Sequence, residues 1–389
     1  MTDLVVVGAG TMGAWTALHA VRGGRRVALL DAYGAGNSRA SSGDETRIIR
    51  SSHGADAFYV GWSRAAREDW TALGDTTGRP IFIQAGALWF ARTDDGFEAA
   101  SLRTLTTAGV PAERLPPGEI EARWPGIAAE DLAFALFEPE AGLLMARAGV
   151  AAVAHQAAAE GAMVDVANVR PGRVDGDRLV DVVDATGRRR TGDAFVFACG
   201  PWLPRLFPDV IGDSIRVTKQ DVHYLGPAAG DTRWDAPGFP SWVEYDAAFY
   251  GIGSVDGRGV KVATDSYGPA DWDPDTGERI VSPGAIDVIR AFCERRFPGL
   301  AAAPVSETRV CQYETTVDSH FLIDRHPAWS NAWIVGGGSG HGFKHGPSIG
   351  HYVVSLLDGH EPAGDELRFR LARDGAAPAG LRTSADAGR

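Results

Sequence analysis

The chain has 389 residues, 38 of them basic and 50 acidic, for a formal net charge of −12. That balance argues against a broad nucleic-acid or anionic-membrane surface, and the length suits two domains with a core that needs no staples. No apolar run reaches the ~20 residues of a membrane span, and Met1-Thr2-Asp3 leads into Leu4 to Val7 without a basic start or cleavage site, so no secretory leader is expected.

Leu4 to Val7 is a short apolar, β-branched run that predicts a strand. It ends at Gly8-Ala9-Gly10-Thr11-Met12-Gly13, after which Ala14, Ala17, Leu18 and Val21 recur at helical spacing until Gly23-Gly24. Val27 to Leu30, closed by Asp31, predicts a second strand. Strand, turn, helix and strand within about 30 residues make a βαβ unit. Gly34 to Thr46 predicts a loop, and Phe58 to Leu73 a helix that buries Trp62, Ala65 and Trp70. Residues 80–140 are expected to hold short strands and turns, with breakers at Pro116-Pro117 and Pro139. Val150 to Glu160 predicts an alanine-rich helix, and Met163 to Val169 and Ala194 to Ala198 predict strands. From Val217 to about Val262, apolar and polar residues alternate between Gly/Pro turns, which suits an antiparallel sheet. Ile286 to Phe297 predicts a helix. Ala332 to Val335 predicts a strand running into Gly336-Gly337-Gly338-Ser339-Gly340, and Pro347 to Leu357 a last helix. From about Arg373 the composition predicts a disordered tail, residues 373–389.

Gly8, Gly10 and Gly13 form GxGxxG between a strand and a helix. The first glycine permits the turn, the second lets backbone approach a pyrophosphate, and the third lets the helix pack close to the strand. The helix N-terminus then offers unpaired N–H groups to the phosphates. Asp31 ends the next strand, where a carboxylate binds both ribose hydroxyls. The motif alone does not separate FAD from NAD. The 49 glycines, well above the usual ~7%, also point to close backbone approaches. The three cysteines, Cys199, Cys293 and Cys311, form no CxxC pair, which excludes a zinc ribbon or disulfide scaffold and suits a reducing cytoplasm.

Four distant stretches add to the fingerprint: Gly43-Asp44-Glu45-Thr46-Arg47-Ile48-Ile49-Arg50, Gly259-Val260-Lys261, Val310-Cys311-Gln312-Tyr313 and Ser339-Gly340-His341-Gly342-Phe343-Lys344. With Ala198-Cys199-Gly200-Pro201-Trp202 they resemble the monomeric sarcosine oxidase and N-methyltryptophan oxidase branch of the D-amino-acid-oxidase-like flavoproteins, from Val5 to about Leu357. The resemblance implies a mixed α/β fold in which a Rossmann-type FAD-binding domain is interleaved with an antiparallel-sheet substrate domain. Residues 1–85, 140–215 and 306–372 would form the first, and residues 86–139 and 216–305 the second. It implies oxidation of a secondary (N-methyl or cyclic) or primary amino acid to an imine, with electrons passed to oxygen to give hydrogen peroxide. An amine dehydrogenase with another acceptor, or a non-catalytic FAD-binding protein, remains the alternative.

Residue by residue, the resemblance makes Cys311 the covalent FAD tether and Lys261 the cation that activates oxygen. From the residues alone, Val260 and Val262 beside Lys261 fit a solvent-exposed alternation equally well. Arg50 and Lys344 match the pair that binds a substrate carboxylate, and Arg47 an arginine beside the flavin ring. Tyr250 and Tyr313 match cavity-lining aromatics, and His341 lies in the flavin-facing turn. Thr11, Met12, Ser41, Ser42, Thr46, Val169, Gly200, Trp202, Gly338, Gly340, Gly342 and Lys344 complete the expected cofactor contacts. Two departures stand out: Asp265 and Ser42-Gly43 occupy positions where sarcosine-oxidising members carry histidines. Asp265 is expected to hold or select the amine. A cytoplasmic monomer is expected, acting on a small amine and oxygen, with no metal, nucleic acid or membrane partner.

Overall fold

The structure, a computed structural model, describes residues 2–266, 268 and 272–371; the expected tail at 373–389 lies outside them. Leu4–Val7 is fully buried, as an apolar run with no polar face must be. It forms the middle of a six-stranded sheet, parallel to Val27–Asp31 on one side and to Ala194–Phe197 on the other. Met163–Val166 extends the first side and Ala332–Gly336 the second, both in parallel. Leu322–Arg325 closes the edge as the one antiparallel strand of that sheet. One face packs on the helices Thr11–Arg22, Ala146–Ala159 and Gly346–Leu357, through Leu4, Val6, Val27 and Leu29. The other face carries Val5, Val7, Ala28 and Leu30 against residues such as Val169, Val182 and Phe207. The alternation of faces along each strand follows from the two-residue repeat of the pleat.

An eight-stranded sheet forms the second layer. Its order is Val305–Thr316, Ile215–Leu225, Val260–Thr264, Phe249–Ile252, Ser241–Glu244, Ala87–Ala91, Phe134–Glu138, Glu113–Leu115. The expected antiparallel run lies here, but Ser241–Glu244 pairs in parallel with Ala87–Ala91. The helix Ala285–Arg296 covers one face through Ile289, Phe292 and Cys293, against Val260 and Val262. Lys261 therefore points to the opposite face and is only 1% exposed, not the solvent-facing lysine the alternation allowed. A small sheet of Thr46–Ile49, Gly142–Met145 and Phe82–Ile83 lies apart from both layers.

Three expectations change. The segment 80–140 holds two helices, Phe97–Thr107 and Pro117–Arg123, besides its strands. Pro117 starts a helix rather than breaking one, because a first-turn proline lacks only an N–H with no helical partner. Met163 to Val169 divides into two strands, Met163–Val166 and Val169–Pro171, in different sheets. In the helix Ala57–Thr77 the buried stripe is Tyr59, Ser63, Ala66, Trp70 and Leu73. Ala65 falls off that stripe and is exposed, and Trp62 is half-buried.

The βαβ turn is tight. Gly8 has φ +101°, and a Cβ there would sit 2.3 Å from the Ala198 carbonyl oxygen. A Cβ on Gly13 would sit 1.9 Å from the Gly8 carbonyl oxygen. Both clashes are with backbone, which cannot step aside. Gly13→Ala is expected to destabilise the protein by about 1–3 kcal/mol or more, read as a lower urea midpoint; an unchanged midpoint would show that the turn has slack.

Candidate active site

The turn after Leu4–Val7 delivers the helix Thr11–Arg22 end-on to a cleft of about 320 Å³. Its N-cap, Gly10, offers no side-chain cap, so the first-turn N–H groups face the cleft. Gly8 and Gly13 are glycines because their own backbone demands it. Gly10 is different: the nearest atom to an added Cβ is Ser42 Oγ at 3.8 Å. Only something lying in the cleft would need Gly10 bare. At the far end of the turn, Asp31 accepts from Ala9 N at 2.7 Å and Tyr33 N at 2.8 Å. Burial raises the Asp31 pKa, and these N–H groups oppose the rise. A bare glycine, an uncapped helix end and a carboxylate one strand away fit a dinucleotide cofactor.

Most expected cofactor contacts meet at this cleft. Gly8, Gly10, Thr11, Met12, Asp31, Ser41, Ser42, Arg47, Val169, Gly200, Trp202, Gly338, Gly340 and Gly342 all line it. Trp202 Nε1 donates to Asp275 Oδ1 at 2.7 Å, and Asp275 also pairs with Arg205 at 2.6 Å.

A second chamber of about 130 Å³ adjoins the first. Arg47, Tyr313, Ser339, Gly340 and Phe343 belong to both walls, so the two spaces meet there. Arg50, Lys344, Tyr250, Asp265 and His341 line the chamber, with Trp89, Phe97 and Tyr245. Arg50 donates to the Ser52 carbonyl, and its guanidinium lies 4.9 Å from the centre of the Trp89 ring. Burial brings its pKa down to about 10, against the pull of Glu138 and Asp265. Lys344 is 3% exposed and donates to the His341 carbonyl at 2.9 Å. Burial and the neighbouring Arg50 charge push its pKa far down. Among the described residues neither cation has a carboxylate within ion-pair distance. Tyr313 donates to Asp265 Oδ1 at 3.2 Å. His341 Nε2 lies 2.9 Å from the Ser319 carbonyl oxygen, and burial keeps the ring neutral.

Behind the shared wall lies a buried network centred on Asp44. Its carboxylate accepts from Lys261 Nζ, from Arg47 at 3.1 Å and from the Tyr224 hydroxyl at 2.8 Å. Burial alone would raise the Asp44 pKa, but the Lys261 and Arg47 charges prevail and hold it below the usual carboxylate range. Lys261 also donates to the Thr46 carbonyl at 3.0 Å. Arg47 reaches the Ser41 carbonyl at 2.6 Å and lies 3.8 Å from Cys311 Sγ. Burial raises the Cys311 thiol pKa, as does Asp44, while Arg47 and Lys261 lower it.

Four expected site residues line neither space: Gly13, Thr46, Lys261 and Cys311. Gly13 serves helix–strand contact, Thr46 offers only its carbonyl, and Lys261 and Cys311 sit one layer behind Arg47 and the tyrosines. Lys344, expected at both sites, lines the chamber alone. Sequence reasoning missed Asp44 as a site residue, although it lies within the stretch before Arg47. It also missed Trp89, Phe97 and Tyr245, whose local spacing carries no signal.

A family model described as FAD dependent oxidoreductase matches residues 3–356. The chain is 31% identical to monomeric sarcosine oxidase of Bacillus sp. (strain B-0618), over 91% of this chain and 91% of that protein. It is 26% identical to N-methyl-L-tryptophan oxidase of Salmonella agona (strain SL483), over 95% of this chain and 98% of that one. Among solved structures, fructosamine oxidase (Amadoriase II) from Aspergillus fumigatus shares the fold with a TM-score of 0.81 at 21% identity, covering 96% and 90% of the two chains. L-proline dehydrogenase from P.horikoshii does so with a TM-score of 0.81 at 19% identity, covering 92% and 93%.

Glu314, on the cleft wall, is buried and bonded to Ser41. Burial pushes its pKa from 4.5 up to about 7, against its hydrogen bonds to Ser41 and to Gly338 N. Between those two values the folded chain holds a proton that the unfolded chain has released. Stability therefore falls as pH rises from about 4.5 through 7, by about 3 kcal/mol in all. Glu314→Gln is expected to match the parent near pH 4 and to exceed it near pH 8 in thermal denaturation. Parallel curves for the two proteins would refute a buried, protonated Glu314.

Proposed function

The chain belongs to the FAD dependent oxidoreductase family, and on that premise we propose that it oxidises a secondary or primary amino acid to an imine with oxygen as electron acceptor. The observation that carries this is the meeting of two cavities at Arg47, Tyr313 and Gly340, with two cations lacking carboxylate partners in the smaller one. Sarcosine and N-methyl-L-tryptophan, named in two relatives, are both N-methyl amino acids, which supports the substrate class.

FAD would lie in the larger cleft on Gly10, Thr11, Met12 and Asp31, with Gly338, Gly340 and Gly342 at the chamber end. When bound, it supplies the acceptor for the two electrons of the C–H bond and passes them to oxygen as hydrogen peroxide. Arg50 takes the substrate carboxylate through its planar fork, and Lys344 adds a point charge. The carboxylate completes an electrostatic balance that the protein leaves open. Anchored there, the amine points toward the shared wall. Tyr250 and Tyr313 pack its sides, and Asp265, tied to the Tyr313 hydroxyl, presents an acceptor where a histidine stands in sarcosine-oxidising members. His341, neutral, orients by its bond to Ser319 rather than by charge.

In this scheme Lys261 stabilises negative charge developing on oxygen, and Asp44 keeps it ionised despite its burial. Cys311 is the covalent tether: Arg47, 3.8 Å from its Sγ, favours the thiolate the linkage requires. The sheets support the division into two interleaved domains, except that Val305–Thr316, expected in the FAD-binding domain, is a strand of the eight-stranded sheet. The six-stranded sheet draws its strands from residues 1–85, 140–215 and 306–372; the eight-stranded sheet draws on 86–139 and 216–305, together with Val305–Thr316. Three cysteines without disulfides fit a reducing compartment such as the cytoplasm, and no helix of the described residues is long and apolar enough to cross a membrane.

An anaerobic screen of N-methyl and cyclic amino acids should bleach the oxidised flavin band, and air should restore it with stoichiometric peroxide. Arg50→Ala should raise KM for carboxylate substrates by 10-fold or more, the loss of a charge-assisted bond worth about 1.5–3 kcal/mol. Bleaching by no amine, or an Arg50→Ala variant that reduces its flavin as readily as the parent, would overturn the assignment. For the tether, acid-precipitated protein should stay yellow in the parent and Cys199→Ser, and turn colourless in Cys311→Ser. Free flavin released from the parent would remove Cys311 from this role.

A further inference from the structure

On the helical face of the six-stranded sheet, away from both cavities, three helices bring together side chains that the amine-oxidase reading does not use. The helix Thr11–Arg22 supplies His19, Ala57–Thr77 supplies Asp69, and Gly346–Leu357 supplies His351. We propose that His19, Asp69 and His351 form a binding site for a divalent cation of the zinc class. The site is independent of the amine-oxidase reading and stands or falls separately.

One nitrogen of each ring and one Asp69 oxygen lie within 4.8 Å of one another. His351 Nε2 is 3.5 Å from Asp69 Oδ2, and the two imidazoles stack with centres 3.5 Å apart. His19 is the fixed member, at 6% exposure. One of its nitrogens bonds to the Pro347 carbonyl, while Nε2 is buried with no partner. Only an N–H can bond to a carbonyl, so Nδ1 carries the proton and Nε2 presents a lone pair. That is the arrangement of a metal-binding histidine, whose second nitrogen is held by a backbone carbonyl. A buried lone pair without a donor is otherwise costly.

The approach of the helices is built in. A Cβ on Gly350 would lie 2.7 Å from the Trp15 carbonyl carbon and 2.9 Å from His19 Cδ2. Glycine at 350 thus lets the last helix lie directly on the first and sets His351 over His19. The other two ligands are adjustable: the side chains of His351 and Asp69 are 61% and 29% exposed. Ligand atoms about 2.0–2.2 Å from a tetrahedral metal stand roughly 3.3–3.5 Å apart. Binding would require His351 to swing off the stack, which its 61% exposed side chain leaves room for. Two imidazoles and one carboxylate are a zinc-type donor set, and the exposed side leaves a fourth position for water.

Charge separates this trio from the other imidazole cluster. His53, His341 and His345 also bring nitrogens within 4.8 Å of one another. They include no carboxylate and lie in the field of Arg50 and Lys344, which repels a cation. Asp69 gives the helical site the negative charge the buried cluster lacks, and Arg22, the cation that acts on this trio, is paired with Glu160 at 2.8 Å. A bound ion would clamp the helix whose N-terminus opens onto the cofactor cleft to two others, and so stabilise the folded chain.

The test uses the full-length holoprotein, stripped with chelator and titrated with zinc chloride. The parent should retain one equivalent of zinc after gel filtration and show a higher Tm with zinc than without. His351→Ala, at an exposed side chain, and Asp69→Asn, a near-isosteric change at a half-buried one, should bind zinc about tenfold more weakly or worse, lose the zinc-dependent rise in Tm, and keep the parent's Tm and oxidase activity without zinc. A parent that retains no zinc overturns the proposal. So do variants that retain zinc and respond to it as the parent does.

Discussion

The buried carboxylate of Asp44 holds the interior together. A charge without water must be paired, and losing one partner leaves the other stranded at a cost of several kcal/mol. Asp44 faces two cations, Lys261 and Arg47, and a tyrosine hydroxyl from a third segment. The four groups come from the loop after the βαβ unit and from three different strands. They link a loop of the cofactor cleft to the underside of the larger sheet, and they aim Arg47 at the seam between the two spaces. Lys261 can be charged and dry at once only because Asp44 is there.

Against that closed account, the chamber is left open. Arg50 and Lys344 sit together in low-dielectric surroundings with no carboxylate at ion-pair distance among the described residues, although Asp265 lines the same chamber and Glu138 acts on both, in a chain whose net charge is −12. A buried guanidinium beside an amine whose hold on its proton burial has weakened is a preorganised receptor for an anion, whose arrival favours the charged lysine again. Glu314 shows a different device on the cleft side, where burial raises the carboxyl's pKa to about 7, so that it holds a proton well above the usual carboxylate range. The walls thus differ in character, with a proton-holding carboxyl and backbone N–H groups toward the cleft and two basic side chains toward the chamber.

The fold was legible wherever local chemistry set it. The glycine turn, Asp31 at a strand end and the buried run Leu4–Val7 all stand where pattern placed them. Lys261 was ambiguous because alternation says which residues share a face, not which face meets solvent; the helix Ala285–Arg296 over Val260 and Val262 decides that, and it lies beyond the strand itself. The helices in 80–140 escaped because four of the eleven residues of Phe97–Thr107 are serine or threonine and Pro117 reads as a breaker unless it is a first residue. Trp89, Tyr245, and the trio His19, Asp69 and His351 have no local signature at all. Their proximity exists only after helices and sheets have packed.

The middle strand of the six-stranded sheet is the first to be made, yet its neighbour Ala194–Phe197 and that strand's neighbour Ala332–Gly336 are among the later ones. During synthesis, Leu4–Val7 waits with one edge unpaired until Ala194–Phe197 is made, about half-way along the chain, and that strand waits in turn for Ala332–Gly336. The closure distance makes the contact order high and the route slow. A truncation that removes Ala332–Gly336 would therefore expose an edge of the sheet that carries the N-terminal glycine turn, more than 300 residues away.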